Sequence, residues 1–217
     1  MALVRHDTRE VTFKIVYAGT PVSGKTTNLQ YIHSRLQGTH CGDLVSLATS
    51  TDRTLYFDFV AVTAQSIQGY TTKFQLYTVP GQVQYNATRE LVLRGADGIV
   101  FVADSQMDRL EENVETARGL MRNLRDNAMS LEQIPMVLQY NKRDLPNAAP
   151  VNYLNYLLNN APKPFPWFES VASTGANVFA TVNAVSQLVL QRFGALTAPP
   201  PPTDARPAST PQPAAVA

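Results

Sequence analysis

The stretch Gly19-Thr20-Pro21-Val22-Ser23-Gly24-Lys25-Thr26 decides how the rest of the chain is interpreted. It fits the pattern G-x-x-x-x-G-K-[ST], in which glycines let the backbone curl tightly around an anion. The inward N–H groups and the start of the following helix then surround phosphate oxygens. We expect Lys25 to reach the β- and γ-phosphates of a nucleotide and the Thr26 hydroxyl to bind Mg²⁺.

The segments on either side of this loop have the patterns that the motif requires. Residues 11–18 alternate apolar and polar side chains, which indicates a buried strand. Residues 27–36 carry Leu29, Ile32 and Leu36 at helical spacing. A strand, a glycine-containing turn and a helix therefore follow one another in the order typical of a phosphate-binding loop.

Composition limits the classes of protein that remain possible. The 217 residues are 44% hydrophobic, enough for one domain with a core, and the net charge of +1 gives no electrostatic reason to expect nucleic acid or an anionic membrane as partner. Cys41 is the only cysteine, which excludes an internal disulfide and suits a reducing cytoplasm. Without a signal peptide, a membrane-spanning run or a lipidation motif, we expect a cytoplasmic protein with no direct membrane anchor.

The rest of the chain alternates between strand and helix patterns. Strands are predicted at 11–18, 54–62, 70–79, 97–103, 135–140 and 165–171, and helices at 27–36, 88–93, 108–128, 151–160 and 175–195. This order predicts an α/β fold with a mostly parallel six-stranded sheet and helices on both faces. A polar lead-in strand or arm is expected at 1–10 and a mobile loop at 38–52. The domain should span 1–196, and the Pro/Ala-rich segment 197–217 should form a disordered tail.

Several polar segments follow strands of this predicted sheet. They are 19–26, 78–82, 141–144 and 171–174. Ligands of doubly wound sheets bind at the carboxyl ends of the strands. We therefore expect these four segments to meet around one ligand.

The segment Asn141-Lys142-Arg143-Asp144 has the pattern N-K-x-D directly after a strand. Guanine presents its N1–H and its exocyclic amino group side by side, and a carboxylate such as Asp144 can accept from both. Asn141 would bond the base edge and brace the phosphate loop, and the Lys142 stem would lie over the purine face. The alternative is an ordinary polar turn, which the phosphate loop upstream disfavours.

With these motifs in place, the chain resembles the Ras-like small GTPases, and within them it is similar to the bacterial MglA family, which directs cell polarity and gliding motility. The resemblance covers residues 10 to about 193. Its more specific segments are 46–59, 76–86, 98–105 and 139–146. It implies a switch between GTP and GDP states that hydrolyses GTP with Mg²⁺.

The resemblance also implies roles for individual residues. In the phosphate loop, the expected nucleotide contacts are Gly19, Ser23, Gly24, Lys25, Thr26 and Thr27. Thr54 would bind Mg²⁺ with Thr26, and the Gly81 N–H would sense the γ-phosphate. Gln82 would orient the attacking water, and Arg53 would stabilise the transition state from within the chain. The backbone N–H of Ala172 would meet guanine O6.

The sequence departs from the Ras-like pattern at three positions. Thr78 stands where an Asp is usual, a trait that the MglA family shares. Val171 replaces a common Ser, Thr or Cys. Pro21 replaces a common Gly, and proline removes an N–H and adds bulk beside the catalytic residues. A nucleotide-binding adaptor with little hydrolysis is therefore the alternative, while an ATP-using kinase or ATPase is opposed by Asp144.

The resemblance implies partners as well. A small roadblock-fold GTPase activator would act on the chain, and motility or polarity effectors would bind its GTP state. Recruitment to a cell pole would come through such partners.

Overall fold

The computed structural model describes residues 2–36, 41–46, 58–67, 69–80, 86–129 and 134–197. The strands are β1 (Leu3–Arg5), β2 (Glu10–Gly19), β3 (Val45–Ser46), β4 (Asp58–Ile67), β5 (Tyr70–Thr78), β6 (Gly98–Asp104), β7 (Met136–Asn141) and β8 (Trp167–Glu169). The helices are α1 (Lys25–Leu36), α2 (Asn86–Leu93), α3 (Leu110–Asp126), α4 (Val151–Leu158) and α5 (Val178–Thr197).

One mixed sheet carries these strands in the order β3-β4-β5-β2-β6-β7-β8, with β1 paired to β2. The pairs from β5 through β2, β6 and β7 to β8 are parallel. The pairs β3–β4, β4–β5 and β1–β2 are antiparallel. The predicted α/β fold with a mostly parallel sheet is therefore confirmed.

The strand number is larger than the predicted six because two short strands extend the sheet. β1 lies within the expected lead-in and pairs with Glu10–Thr12, ahead of the stretch of β2 where β6 begins to pair at Ile15. β3 lies within the expected loop and pairs with Asp58 and Phe59. Two or three residues are too few to show an alternating pattern.

The apolar side chains of β2 and β6 face both sides of the sheet, so each strand contributes to two cores. Val16 and Phe101 belong to the core beneath α2, α3 and α4. Ile15 and Val100 belong to the core beneath α1 and α5. Helices cover both faces of the central strands, as doubly wound sheets require.

All five helices differ from their predicted bounds by two or three residues at one or both ends. α1 begins two residues early, at Lys25, and α4 ends two residues early, at Leu158. α3 begins at Leu110, after a 3₁₀ turn at Met107–Arg109. Its buried residues include Asn113, whereas the neighbouring Val114 is half-buried. α2 begins two residues before the prediction, and α5 begins after Gly175 and Asn177, both of which have positive φ.

The described residues end at Thr197, within the last turn of α5. The proline-rich segment beyond it lies outside the described residues, so the tail remains a prediction. In the part of the chain that the structure describes, none of the helices is both long enough and apolar enough to cross a bilayer.

Candidate functional site

The phosphate loop joins β2 to α1 and requires both of its glycines. Gly19 has a φ of +145° and Gly24 a φ of +98°, a region that favours glycine. A Cβ on Gly19 would lie 2.1 Å from the carbonyl oxygen of Val102 in β6, and one on Gly24 would lie 2.2 Å from Nδ2 of Asn141. The loop is therefore pressed against the ends of two neighbouring strands, where side chains do not fit.

Two further loop residues bear on the expected phosphate contact. Ser23 is fully buried, and its hydroxyl has no hydrogen-bond partner among the described residues. A buried polar atom of this kind fits a ligand that accepts hydrogen bonds, as phosphate does. Val22 is 57% exposed with a φ of 60°, which is strained for a β-branched residue.

Lys25 lies at the start of α1 with its ammonium group turned into the loop. Its Nζ donates hydrogen bonds to the carbonyl oxygens of Gly19 at 3.0 Å and Thr20 at 2.6 Å. Burial lowers the pKa of Lys25 to about 7, with the positive charge of Arg89 acting in the same direction and the negative charges of Asp58 and Glu112 opposing. The lysine is thus held where a phosphate would restore its charge.

Thr26, the expected magnesium ligand, contacts a carboxylate at the start of β4. Its hydroxyl donates to Oδ2 of Asp58 at 2.5 Å. The Thr78 hydroxyl donates to the same oxygen at 2.9 Å and accepts from the Asp58 N–H at 2.8 Å. Asp58 and Thr78 are both fully buried.

The oxygens of this cluster fit a magnesium nucleotide. Within the described residues, no three His, Cys, Asp or Glu side chains come together as a metal site. Mg²⁺ is commonly bound by one or two carboxylates, substrate phosphates and several waters. The Thr26 hydroxyl and a phosphate beside Lys25 would hold such an ion, and the Asp58 carboxylate would add negative charge beside them.

Asn141 connects the phosphate loop to the loop after β8. Its Nδ2 donates to the carbonyl oxygen of Ser23 at 2.7 Å. Its Oδ1 accepts from the Ala172 N–H at 2.9 Å and from the Ser170 hydroxyl at 3.1 Å. The predicted brace on the phosphate loop is present, whereas the base contacts of Asn141 and Ala172 remain predictions.

Lys142 and Asp144 of the N-K-x-D segment differ in their contacts. Lys142 has a φ of 65°, and its Nζ donates to Oδ2 of the buried Asp104 at 2.5 Å. Gln106 donates to Asp104 through both its backbone and its side chain. Asp144 is exposed, and its contact with the base remains a prediction.

The four segments predicted to meet do so in part. The ends of β2, β5, β7 and β8 carry the loop, Thr78, Asn141 and Ala172, and hydrogen bonds link Ser23 to Asn141 and Thr78 to Asp58. Thr27 lies half-buried in the first turn of α1. The other predicted residues, Arg53, Thr54, Gly81 and Gln82, lie outside the described residues, and their roles remain predictions.

Sequence reasoning did not identify four residues that support this site. Asn113 of α3 accepts from the Thr20 hydroxyl at 3.4 Å and from the Asp104 N–H at 3.0 Å. Asp104 holds Lys142, Asp58 holds Thr26, and Arg89 acts on the charge of Lys25. Helical spacing suits Val114 as well as Asn113, so no pattern in the sequence marked Asn113.

In sequence, the chain is similar to known proteins of the Ras family. A family model described as Ras family matches residues 14–191. The "Mutual gliding-motility protein MglA" of Myxococcus xanthus (strain DK1622) is 50% identical over 190 residues, or 88% of this chain and 96% of that protein. The Ras-related protein Rab-27B of Bos taurus is 30% identical over 139 residues, or 62% of each chain.

A solved structure is similar in fold. The Arl6 BBS3 small GTPase from Trypanosoma brucei, with bound nucleotide analogue GppNp, matches with a TM-score of 0.61 and 19% identity. The match covers 83% of this chain and 99% of that one, so the whole domain has the same architecture. From the phosphate loop to α5, sequence and architecture agree, and the chain belongs to the Ras family as a small GTPase of the MglA type.

Proposed function

We propose that the protein is a GTP/GDP switch of the cytoplasm that acts in cell polarity or gliding motility. The observation that carries the nucleotide assignment is the Asn141 side chain, which ties the phosphate loop to the expected base-binding loop. The proposed cellular role rests on the relative named for gliding motility, which the chain matches over 96% of that protein's length. The domain would end near residue 196, and the segment 197–217 would be a disordered tail.

In the proposed complex, the loop and Lys25 hold the β- and γ-phosphates, because their donors surround the phosphate position. Thr26 and Thr54 would hold Mg²⁺, which would supply positive charge against the β- and γ-phosphates. Asp144 accepts from the guanine N1–H and amino group, and the Ala172 N–H turns to guanine O6. The last step requires Ala172 to exchange its present bond to Asn141 for one to the base.

Hydrolysis would use residues of the chain itself. Gln82 aims a water at the γ-phosphate, and Arg53 offsets the charge that develops there. A roadblock-fold activator would order these two residues without donating an arginine of its own. Effectors of motility or polarity would bind the GTP state and carry the protein to a cell pole.

The test is activator-stimulated phosphate release from purified Arg53→Ala and Gln82→Ala proteins. Each variant should lose the stimulation, on the order of 10³-fold, because stabilising charge and water positioning supply most of phosphoryl-transfer catalysis. GTP binding should persist in both. Arg118→Ala removes an exposed arginine of α3 and should behave as wild type.

Two results would contradict parts of the proposal. Stimulated turnover at the wild-type rate in Arg53→Ala would exclude the self-supplied arginine. An unmutated protein that binds GTP and never releases phosphate would instead be a nucleotide-dependent adaptor, and Pro21→Gly would test whether the loop proline is the cause.

A further inference from the structure

Ras-like proteins usually carry an Asp at the position of Thr78. This chain lacks that carboxylate, but the carboxylate of Asp58 lies beside the same position. Position 78, at the end of β5, carries a threonine. β4 runs antiparallel to β5, and Phe59 pairs with Tyr77, so the next position brings Asp58 opposite Thr78 on the same face. The negative charge is thus present one strand away, at the same end of the sheet.

The hydrogen bonds fix this carboxylate against the metal-binding hydroxyl. Oδ2 of Asp58 accepts from Thr26 at 2.5 Å and from Thr78 at 2.9 Å, and both threonines donate through their hydroxyl protons. The Thr78 hydroxyl also accepts from the Asp58 N–H at 2.8 Å, so the two strands hold each other in one arrangement. Burial of Asp58 and Thr78 strengthens these contacts because solvent does not compete for them.

In this arrangement the Asp58 carboxylate would orient a metal ligand, the Thr26 hydroxyl, from the side away from the metal. A hydroxyl that donates its proton to a carboxylate turns its lone pairs toward the opposite side, where a cation can bind. The carboxylate also adds negative charge close to that cation, and the positive charge of Lys25 lies within electrostatic range. Partners of this kind, which orient a metal ligand, typically change metal affinity about 10- to 100-fold when removed.

We propose that Asp58 is the positioning residue for Mg²⁺ in this protein, orienting the Thr26 hydroxyl in place of a carboxylate at position 78. The inference rests on the proposed function, since it assumes a magnesium-dependent guanine nucleotide site. It assigns to Thr78 the role of holding the Asp58 carboxylate in place. The negative charge that Ras-like proteins usually carry on the strand of Thr78 is carried in this chain by Asp58 of β4.

The test measures the Mg²⁺ concentration at which release of fluorescent GDP becomes slow. In Asp58→Asn this midpoint should rise at least tenfold, because the amide carries no charge and is a poorer acceptor for the Thr26 proton. Release in EDTA should stay within twofold of wild type, since no metal is bound there. A general loosening of the fold would speed release equally with and without Mg²⁺, and that result would overturn the proposal.

Two further variants complete the test. Asp126→Asn removes an exposed carboxylate at the end of α3 and should leave the midpoint unchanged. The exchange Asp58→Thr with Thr78→Asp returns the carboxylate to β5 and should keep the midpoint within about threefold of wild type. If Asp58→Asn does not fold, this exchange decides, and loss of the magnesium effect in it contradicts the inference.

The outcomes separate this inference from the proposed function. If wild-type protein retains GDP equally with Mg²⁺ and with EDTA, the magnesium-dependent switch itself is wrong. If wild type responds to Mg²⁺ and Asp58→Asn responds at the same concentration, only the role of Asp58 is wrong.

Discussion

Nucleotide affinity should fall as pH rises above 7, because the free protein must take up a proton at Lys25 to bind phosphate. Burial and the charge of Arg89 lower the pKa of Lys25 to about 7 from its ordinary 10.5. Phosphate oxygens beside the ammonium group favour its charged form, so the complex keeps the proton across this range. In the nucleotide-free protein, Lys25 should be about half protonated at pH 7 and about 3% protonated at pH 8.5.

These fractions give the size of the effect. Affinity for GDP should drop about 16-fold between pH 7 and pH 8.5, and binding at pH 8.5 should take up close to one proton. The terminal phosphate of the nucleotide is already deprotonated at pH 8.5, so it releases few protons in return.

The free energy of unfolding of the nucleotide-free protein should change in the opposite direction and rise with pH. A lysine with a lowered folded-state pKa makes unfolding harder as pH rises, by up to about 1.4 kcal/mol per pH unit between 7 and 10.5.

Titration calorimetry of the nucleotide-free protein with GDP checks this prediction. Measurements at both pH values, each in two buffers of different ionisation enthalpy, give the affinity and the proton uptake together. In the control Lys25→Arg the charge cannot be lost, so the pH dependence should vanish even if the affinity is lower. A constant wild-type affinity over this range, with no proton uptake, would refute the reasoning.

Three other predictions concern the loop, the brace and the base. Gly24→Ala should weaken GDP binding at least tenfold in a fluorescence titration, because the new Cβ would collide with Asn141 and because Gly24 has a positive φ. The control Gly194→Ala, with open space around its Cβ, should bind GDP as wild type does. Asn141→Ala removes three hydrogen bonds and should lower the free energy of unfolding of the nucleotide-free protein by about 2 kcal/mol or more. Denaturant unfolding measures this, and an unchanged denaturation midpoint would show that Asn141 does not brace the phosphate loop. Asp144→Asn should weaken GTP and strengthen xanthosine triphosphate in competition binding, since xanthine has a carbonyl where guanine has the amino group; equal competition by ATP and GTP in wild type would refute guanine selectivity.

The parts of the site that could be predicted from the sequence are local in the chain. The geometry of Gly19 and Gly24 and the placement of Lys25 follow from eight consecutive residues and the strand and helix beside them. The contact between Asn141 and the phosphate loop could be expected because the N-K-x-D segment is itself contiguous and follows a strand.

The parts that could not be predicted depend on how distant segments pair. Asp58 meets Thr26 only through the register of β4 against β5, which no single segment reveals. Asn113 and Val114 are neighbours in sequence, and helical periodicity does not decide which of them faces the core. β1 and β3 are held by pairing along a few residues and have no periodic pattern of their own.

The single carboxamide of Asn141 joins the two halves of the pocket, and this has a consequence for ligands that fill only one half. Asn141 already holds both loops in one arrangement. A nucleoside without phosphates would contact only the expected base-binding loop, and a pyrophosphate without a base would contact only the phosphate loop. Each fragment should therefore bind far more weakly than the whole nucleotide. The whole nucleotide gains affinity because one molecule satisfies both ends of that connection at once.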